Sequence, residues 1–227
     1  MIDNQTLIAL QEEFKKIFDN TYELGGGYGF RYQHGVRVMN YCKKIAEFPI
    51  FKNESLNVDA LMIAALFHDV GKIKAVDEHG QIIYGNYGDK SHEQLSAEIT
   101  PGYIEKYIKD KDLIKLICLI IAEQEKGVVP TRTESKIIKD ADRLDNYGVI
   151  HLWRTAVYSN YEKKNIEGLQ EFWESEEGKI KCKNNLAKYF FPEVAAIAKM
   201  RYEKLDEVTR RMIEEQKGDD IVYEKRG

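Results

Sequence analysis

Cysteine is scarce in this chain of 227 residues, and the cysteines that are present form no pattern. The three of them, Cys42, Cys118 and Cys182, are odd in number and far apart, and no two form a C-x-x-C pair. A disulfide framework needs an even set of cysteines at regular spacings. We therefore expect reduced thiols and a fold that does not depend on disulfide bonds.

The chain also lacks a long apolar run, a leader-like start and an excess of positive charge. A membrane-spanning helix needs about 18 consecutive apolar residues, and no apolar run approaches this length. The start Met1–Ile2–Asp3–Asn4 lacks the basic segment followed by an apolar one that is typical of a signal peptide. The net charge of −4 argues against a general nucleic-acid-binding surface, although it leaves room for a local basic pocket. We expect a cytoplasmic protein whose partners include neither membrane nor nucleic acid.

Proline is scarce too, with four in the chain, and apolar residues recur at helical spacing throughout. Hydrophobic residues make up 43% and charged residues 32% of the sequence, which is ordinary for a globular protein with a substantial core. No repeat, linker or change in composition divides the chain. The sequence predicts an all-α fold in a single domain over residues 1–227, with a core at about 30–208, a first helix at 5–20 and a frayed tail at 218–227.

The clearest helix boundary precedes an apolar run that ends in two polar residues. Asn57 is a suitable N-cap for a helix from Val58 to His68, and the helix dipole favours Asp59 in its first turn. Gly71 is expected to break the helix just past His68 and Asp69. Further helices are predicted from His34 to before Pro49 and from His92 onward, where Pro101 allows a break or kink. A nearly all-round apolar helix at 113–121, central to the core, is followed by one that carries Asp142, with Thr131 or Thr133 as cap, and by one from Glu193 to about Gln216.

Two segments are less clearly patterned. The polar stretch from Ala75 to Ser91 is long for a connection without secondary structure, and such loops are often functional lids. Within it, Ile82–Ile83–Tyr84 is compatible with a short strand or a turn. An aromatic segment is expected in the core, although such rings can also stack on a nucleobase; it comprises Trp153, Val157, Tyr158, Tyr161 and Trp173.

Four polar residues stand out against the apolar helices: His34, the adjacent pair His68–Asp69, and Asp142. Imidazole nitrogen with carboxylate oxygen is a ligand set that suits Mn, Fe, Ni, Co, Zn and, less readily, Mg. A buried unpaired carboxylate is costly, and a metal ion compensates its charge. Protein ligands of this kind leave room for water on an octahedral ion, and such a water is a hydrolytic nucleophile. The set indicates a metal-dependent hydrolase.

The order His, His-Asp, Asp on a helical chain resembles the HD-domain metal-dependent phosphohydrolase superfamily. The resemblance extends to His34–Val38, Ala64–Lys72, His92–Ala97, Glu134–Asp145 and Ala195–Val208. It implies a compact multi-helix fold with a metal site between helices, where His34, His68, Asp69 and Asp142 bind a divalent ion. It also implies hydrolysis of a phosphate ester or anhydride. A nucleotide or deoxynucleotide is the leading substrate, because small members of the family commonly act on such compounds, and the oligomeric state is left open.

Three aspartates compete for the last ligand position. Asp142 is the choice because Ala-Asp-Arg-Leu is the form that this ligand takes in the family that the chain resembles. Asp145 lies about one helical turn further on, where it can support a ligand or orient a water. Asp140 and Asp145 are each also suited to capping a turn or to pairing with Arg143.

Two cationic residues and a histidine are candidates for contact with a phosphate. Lys72 follows Gly71 directly, and its charge would offset that of a phosphate near the metal, unless it is a solvated lysine at a helix end. His92 resembles a histidine that supports a second metal or the substrate phosphate in related members, and here a phosphate contact or acid–base role is expected. Arg37 shares a helix face with His34 and is otherwise suited to an ion pair with a core carboxylate.

The number of metal ions depends on a departure from the two-metal members of the superfamily. Those members have a further histidine downstream, where this chain has Glu123–Gln124–Glu125. Since glutamine is a poor metal ligand, the departure favours one ion, although Glu123 or Glu125 could complete a second site.

Other functions remain open at this point. A cyclic-dinucleotide phosphodiesterase is disfavoured by the missing histidine, and ppGpp hydrolysis by the absence of a Glu-Asp pair in Gly71–Lys72–Ile73–Lys74. A catalytically silent nucleotide- or metal-binding regulator is the alternative from another class. The glycine-rich 25–29 lacks the Lys-Ser/Thr of a P-loop and is interpreted as a flexible mouth. His151 is expected to be structural, and His79 is assigned no role.

Overall fold

The computed structural model describes residues 2–85, 87–168, 171, 175 and 186–221. The architecture is all-α, as the sequence predicts. The helices are α1 (Asn4–Phe18), α2 (Phe30–Ala46), α3 (Val58–Phe67), α4 (His92–Ile104), α5 (Lys111–Ala122), α6 (Thr133–Leu144), α7 (Ile150–Tyr161) and α8 (Pro192–Lys217), with 3-10 helices at Pro49–Phe51 and Val70–Ala75. Trp173 and Cys182, on which two of the predictions fall, lie outside the described residues.

The first helix forms where its apolar spacing predicts it. The carboxylate of Asp3 accepts a hydrogen bond from the backbone N–H of Thr6 and so caps the free end of α1. Leu10, Phe14 and Phe18, at helical spacing, are fully buried on one face. Burial of this stripe therefore fixes α1 against the core.

The glycine-rich segment after α1 folds into a small antiparallel hairpin. Strand β1 (Tyr22–Glu23) pairs with β2 (Gly27–Tyr28), and Gly29 in the left-handed conformation starts α2. A Cβ on Gly26 would lie 2.2 Å from the ring of Phe30, so the turn packs tightly against the first residue of α2. The segment therefore has defined local structure where the sequence suggests a flexible mouth.

Helix α3 is capped by Asn57, whose side chain accepts a hydrogen bond from the N–H of Ala60 at 2.9 Å. Every residue of α3 from Ala60 to Phe67 is buried, and the helix ends at His68, as predicted. Gly71 then packs directly on α4, because a Cβ there would lie 2.2 Å from the backbone oxygen of His92. This close approach brings the end of α3 and the start of α4 together.

The connection after the second 3-10 helix is tied to the hairpin by isolated bridges. Tyr22 of the hairpin bridges to Gln81, and Val76 bridges to Ile82. Of the strand suggested at 82–84, Ile82 alone takes part in a bridge. Helix α4 opens with a reciprocal capping box between Ser91 and Gln94. It continues to Ile104 with a proline inside, so the break that we allowed at that proline does not occur.

Two predictions about α5 and α6 are wrong. Helix α5 is amphipathic, with Ile117, Ile120 and Ile121 buried and Leu119 exposed, because it covers the core on one side only. Helix α6 has Arg132 at its N-cap position and no side-chain cap. Of the two threonines that were candidates for the cap, Thr131 donates its hydroxyl to Glu123 and Thr133 donates its hydroxyl to Glu54.

The chain divides into two compact units, Met1–Asp145 and Asn146–Gly227. In the first unit α3 packs between α2 and α5, while α6 packs on α2 and α4 on α5. In the second unit, the prediction that the aromatic segment is buried is wrong for three residues of α7. Trp153, Tyr158 and Tyr161 are exposed. The single-domain organisation remains a prediction.

Within the described ranges, none of the helices combines the length and the apolar character that crossing a membrane requires. The two described cysteines, Cys42 and Cys118, are free thiols. Burial raises the pKa of both thiols, so both favour the neutral form.

Candidate metal centre

The four predicted ligands meet at one place in the first unit. His34 comes from α2, and His68 and Asp69 come from the end of α3; one ligand atom from each of these three residues lies within 4.8 Å of the others. Asp142 reaches the same place from α6, with its Oδ1 at 3.1 Å from His34 Nε2 and 3.8 Å from His68 Nε2. Three helices thus bring together residues that lie far apart in the sequence.

The orientation of His68 is fixed by the backbone of its own helix. Its Nδ1 lies 2.7 Å from the carbonyl oxygen of Ala65. A carbonyl oxygen only accepts hydrogen bonds, so Nδ1 must carry the proton. In the neutral ring this leaves a lone pair on Nε2, which is the form in which histidine binds a metal.

The orientation of His34 is fixed by a carboxylate on α6. Its Nδ1 lies 2.8 Å from Asp145 Oδ2, and Arg37 donates two hydrogen bonds to the same carboxylate. Burial alone would raise the pKa of Asp145, but Arg37 and His34 hold it well below its usual range. The ionised carboxylate accepts the Nδ1 proton of His34, which directs the Nε2 lone pair of His34 toward Asp69 and Asp142.

The two Nε2 atoms test whether this site fits a metal ion. Both are buried, and neither makes a hydrogen bond within the described part of the chain. Buried polar nitrogens without a partner are costly. Each faces carboxylate oxygens, with Asp69 Oδ2 at 3.5 Å from both. Two imidazole nitrogens and two carboxylates, arranged around a common space, fit a divalent transition-metal ion.

Charge at the site also favours a cation. Although burial opposes protonation of the imidazole, the negative charges of Asp69 and Asp142 raise the pKa of His68. A proton and a metal ion compete for the same lone pair, so the ligand set binds metal less well in acid. Asp142 has the most exposed side chain of the four, at 45%, which leaves the centre open on this side.

Asp69 is surrounded by positive charge even without a metal ion. Lys72 Nζ lies 2.9 Å from its Oδ2, and the guanidinium of Arg31 donates a short hydrogen bond to the same oxygen. His92 Nε2 lies 3.2 Å from its Oδ1. Burial opposes ionisation of Asp69, yet Lys72, His68 and Arg31 hold its pKa well below the usual range. Asp69 therefore remains a carboxylate throughout the neutral pH range.

Sequence reasoning missed a buried ionic chain behind Asp69. Arg31 also donates to Glu23 through Nε at 2.8 Å and through a second, shorter bond, and the Tyr84 hydroxyl donates to the same carboxylate. Burial would lower the pKa of Arg31, but Asp69 and Glu23 raise it above its ordinary value. The sequence could have indicated a role for Arg31, because it lies one helical turn before His34. Nothing in the sequence pattern indicated a role for Glu23.

The remaining predicted residues are placed as follows. Lys72 and His92 both contact Asp69, and the second nitrogen of His92 lies 3.1 Å from Glu93. Arg37 forms the ion pair with a core carboxylate that was its alternative role. Asp140 pairs with Arg143. His79 is exposed beside Glu78, and His151 belongs to α7 in the second unit.

The side chains of Glu123, Gln124 and Glu125, where two-metal members have a histidine, form hydrogen bonds within the protein. Gln124 donates to the backbone oxygens of Ile120 and Ser135. Glu123 accepts hydrogen bonds from Thr131 and Arg132, and Glu125 accepts one from Gln94. These contacts engage all three side chains, and the binding of one ion rather than two remains a prediction.

The fold has counterparts among solved structures. A predicted HD superfamily hydrolase from an uncultured Thermotogales bacterium is 20% identical with a TM-score of 0.56, over 94% of this chain and 92% of that one. YpgQ of Bacillus subtilis, solved in complex with ADP, is 15% identical with a TM-score of 0.62, over 93% and 95%. A Lactobacillus plantarum protein is 21% identical with a TM-score of 0.56, over 96% and 100%. At these identities the likeness shows the fold.

The sequence comparisons give the family. No curated protein sequence matches the chain. The profile of the HD domain family matches residues 31–147, about half of the chain, and this range contains all four predicted ligands. The family predicted from the order of the motifs is therefore confirmed, and the chain belongs to the HD domain family.

Proposed function

We propose that this protein is a metal-dependent phosphohydrolase that cleaves a phosphate ester or anhydride of a nucleotide or deoxynucleotide. The observation that carries the proposal is the pair of buried Nε2 atoms on His34 and His68, which make no hydrogen bond to the described residues and face two carboxylates. A structural cluster would have paired these nitrogens with protein groups. Their orientation instead suits a cation between them.

His34, His68, Asp69 and Asp142 would hold one divalent ion, with Mn, Ni, Co, Fe, Mg and Zn as candidates. The ligand set accepts several of these, so their supply in the cell decides among them. Such an ion supplies Lewis acidity for the transfer of a phosphoryl group to water. The open side at Asp142 gives a substrate access to this place.

The roles of the surrounding residues follow from their contacts. Lys72 is buried against Asp69 at the edge of the centre, where its charge would stabilise a phosphoryl group. His92 would contact the phosphate from the start of α4. Both oxygens of Asp145 are already engaged by His34 and Arg37, so Asp145 acts as a positioning residue for His34.

Nucleotides are the proposed substrates for two reasons. One is that the B. subtilis YpgQ structure, which shares the fold, was solved with ADP. The other is the positive charge of Arg31 and Lys72 beside Asp69, which suits an anionic ligand at the metal. The net charge of −4 gives no general attraction for nucleic acid. We propose a cytoplasmic enzyme acting on small molecules.

The test begins with protein stripped of metal by a chelator. Phosphate and pyrophosphate release is measured from a panel of nucleotides and deoxynucleotides, and conversion of cyclic dinucleotides to linear products is followed by chromatography. Mn, Ni, Co, Fe(II), Mg and Zn are added separately. Asp69→Asn removes the charge of one ligand, and Asp19→Asn makes the same change in an exposed ion pair with Lys15. Metal-dependent release that Asp69→Asn loses and Asp19→Asn keeps supports the proposal.

Other outcomes separate the alternatives. Stoichiometric metal uptake with nucleotide binding but no release from any substrate favours a regulatory protein. Conversion of cyclic dinucleotides to linear products, with no release from the other substrates, identifies a phosphodiesterase. Failure to take up any of the six ions, measured by elemental analysis after dialysis, rejects the metal centre and with it the proposed activity.

A further inference from the structure

The polar loop before α4 carries a tyrosine whose hydroxyl has no hydrogen-bond partner among the described residues. The Tyr87 hydroxyl oxygen is buried and makes no hydrogen bond to the described residues. A buried hydroxyl without a partner destabilises the fold, and such groups concentrate where a ligand completes them. Tyr84 in the same loop differs, because its hydroxyl donates to Glu23.

Tyr87 lies beside the candidate metal centre. Its ring is 5.5 Å from the ring of His92, and His92 Nε2 is 3.2 Å from Asp69 Oδ1. The loop thus brings the phenol next to the residues that would surround a substrate phosphate. Neither the spacing of the motif nor helical periodicity indicates this placement, because Tyr87 lies in the stretch without a pattern.

The loop is built to hold this position. Gly85 and Gly88 on either side of Tyr87 have φ values of +84° and +67°, where a side chain would be strained. Ile83 donates its N–H to the carbonyl of Ala75, and a capping box at Ser91 starts the next helix. The backbone on both sides of the loop is therefore anchored to regular structure.

The electrostatic surroundings keep the phenol protonated. Burial raises the pKa of Tyr87 to about 12, the nearby carboxylate of Asp69 adds to this shift, and Arg31 opposes it. At neutral pH the group is a neutral O–H donor. Near the positive charge of Arg31, it supplies a directional hydrogen bond without adding charge.

We propose that the Tyr87 hydroxyl donates a hydrogen bond to a non-bridging phosphoryl oxygen of the substrate. This inference rests on the proposed function for the presence of a phosphorylated ligand. The donor would lie on the His92 side of the centre. A donor placed where negative charge develops stabilises the transition state and also binds the phosphate.

Tyr87→Phe removes the hydroxyl alone, and Tyr107→Phe is the matched control, since the Tyr107 hydroxyl donates to Glu13 away from the centre. A hydrogen bond to a charged oxygen predicts that kcat/KM falls about 10- to 100-fold in Tyr87→Phe. The loss should be the same for a nucleotide and for p-nitrophenyl phosphate, because a non-bridging oxygen is independent of the leaving group. Tyr107→Phe should keep full activity.

Melting temperature distinguishes this contact from a structural role. Removing an unpartnered hydroxyl should leave the Tm of Tyr87→Phe unchanged or raise it, whereas Tyr107→Phe should lower Tm by removing a formed hydrogen bond. Metal content should be equal in all three proteins. A value of kcat/KM in Tyr87→Phe within twofold of the unmodified protein, or a loss of activity that parallels a fall in Tm, overturns the inference.

Phosphate binding separates this inference from the proposed activity. Calorimetry with inorganic phosphate and the Mn-loaded protein should give a Kd about tenfold weaker or more in Tyr87→Phe. If Tyr87→Phe binds phosphate more weakly but the unmodified protein hydrolyses no substrate, the proposed hydrolase activity is rejected and the Tyr87 contact is retained. If both proteins hydrolyse substrate with equal kcat/KM and bind phosphate with equal affinity, the Tyr87 contact is rejected and the proposed hydrolase activity is retained. No phosphate binding by either protein, with activity unchanged in Tyr87→Phe, also rejects the contact.

Discussion

The two sides of the candidate metal centre are prepared for a cation in different ways. On the imidazole side, His34 and His68 are each fixed through Nδ1, and their buried Nε2 atoms make no hydrogen bond within the described residues. On the carboxylate side, Asp69 is already compensated by Arg31 and Lys72. The histidines are therefore incomplete without an ion, whereas Asp69 has its charge balanced by the protein.

This difference indicates how the fold can form before metal binds. A buried carboxylate alone would be strongly destabilising, and Arg31 removes that cost. Neutral imidazoles without partners cost less. We therefore expect folding to depend on the carboxylate side and metal affinity to depend on the imidazole side, and each prediction below perturbs one of them.

The largest effect is expected from Arg31→Met, which breaks the carboxylate side. Arg31, Glu23 and Asp69 are all buried, so removing the guanidinium leaves two carboxylates short of a partner. We expect a loss of about 3–5 kcal/mol in the free energy of unfolding, measured by urea denaturation of the metal-free protein. Saturating Mn should restore part of the loss by compensating Asp69. A loss below about 1 kcal/mol, which is typical of an exposed ion pair, would contradict the claim that folding depends on the carboxylate side.

Gly71→Ala tests the packing that places Asp69 beside α4. The new Cβ would lie 2.2 Å from the backbone oxygen of His92 and 2.7 Å from the backbone nitrogen of Ser96, and neither can move as a side chain would. We expect destabilisation by about 1–3 kcal/mol in thermal or urea unfolding. A Cβ on Gly102, which lies in α4 itself, would meet nothing within 4 Å, so Gly102→Ala should instead stabilise by about 0.5–1 kcal/mol. Equal effects of the two changes would argue against this close contact.

Asp145→Asn tests the imidazole side. The amide can no longer offer two ionised oxygens to His34 and Arg37, so the orientation and basicity of His34 are weakened. We expect metal affinity to fall about 10- to 100-fold in calorimetric titration with Mn. Asp140→Asn, on the same helix and paired with Arg143, is the control and should leave metal affinity unchanged. A similar loss of affinity in both variants would mean that Asp145 acts only through the stability of α6.

The smallest effect is a pH dependence from Glu23. Burial would raise its pKa, but Arg31 lowers it below the ordinary value. A lowered folded pKa contributes stability that is present above the unfolded pKa of about 4.3 and is lost as pH falls through the folded value. Glu23→Gln should therefore lose less stability than the unmodified protein on acidification below about pH 4, by at most about 1.4 kcal/mol per pH unit. Parallel acid curves for the two proteins would exclude this contribution.

The sequence was informative about parts of the molecule where the pattern is local. Asn57 as a cap and the end of α3 at His68 follow from neighbouring residues, and the structure has both. The order of the ligands indicated the HD family, which the profile match confirms. Predictions failed where packing decides: α5 is buried on one face only, and Trp153 is exposed.

By itself the sequence determined the helical class and the set of residue types from which a metal site can be built, because helical periodicity and an ordered motif are visible along the chain. Only the tertiary structure decided which charges meet. Arg31 reaches Asp69 across 38 residues and His34 reaches Asp145 across 111. Such partners are selected by the packing of α2 against α3 and α6, and neither spacing nor composition encodes the distance between their side chains.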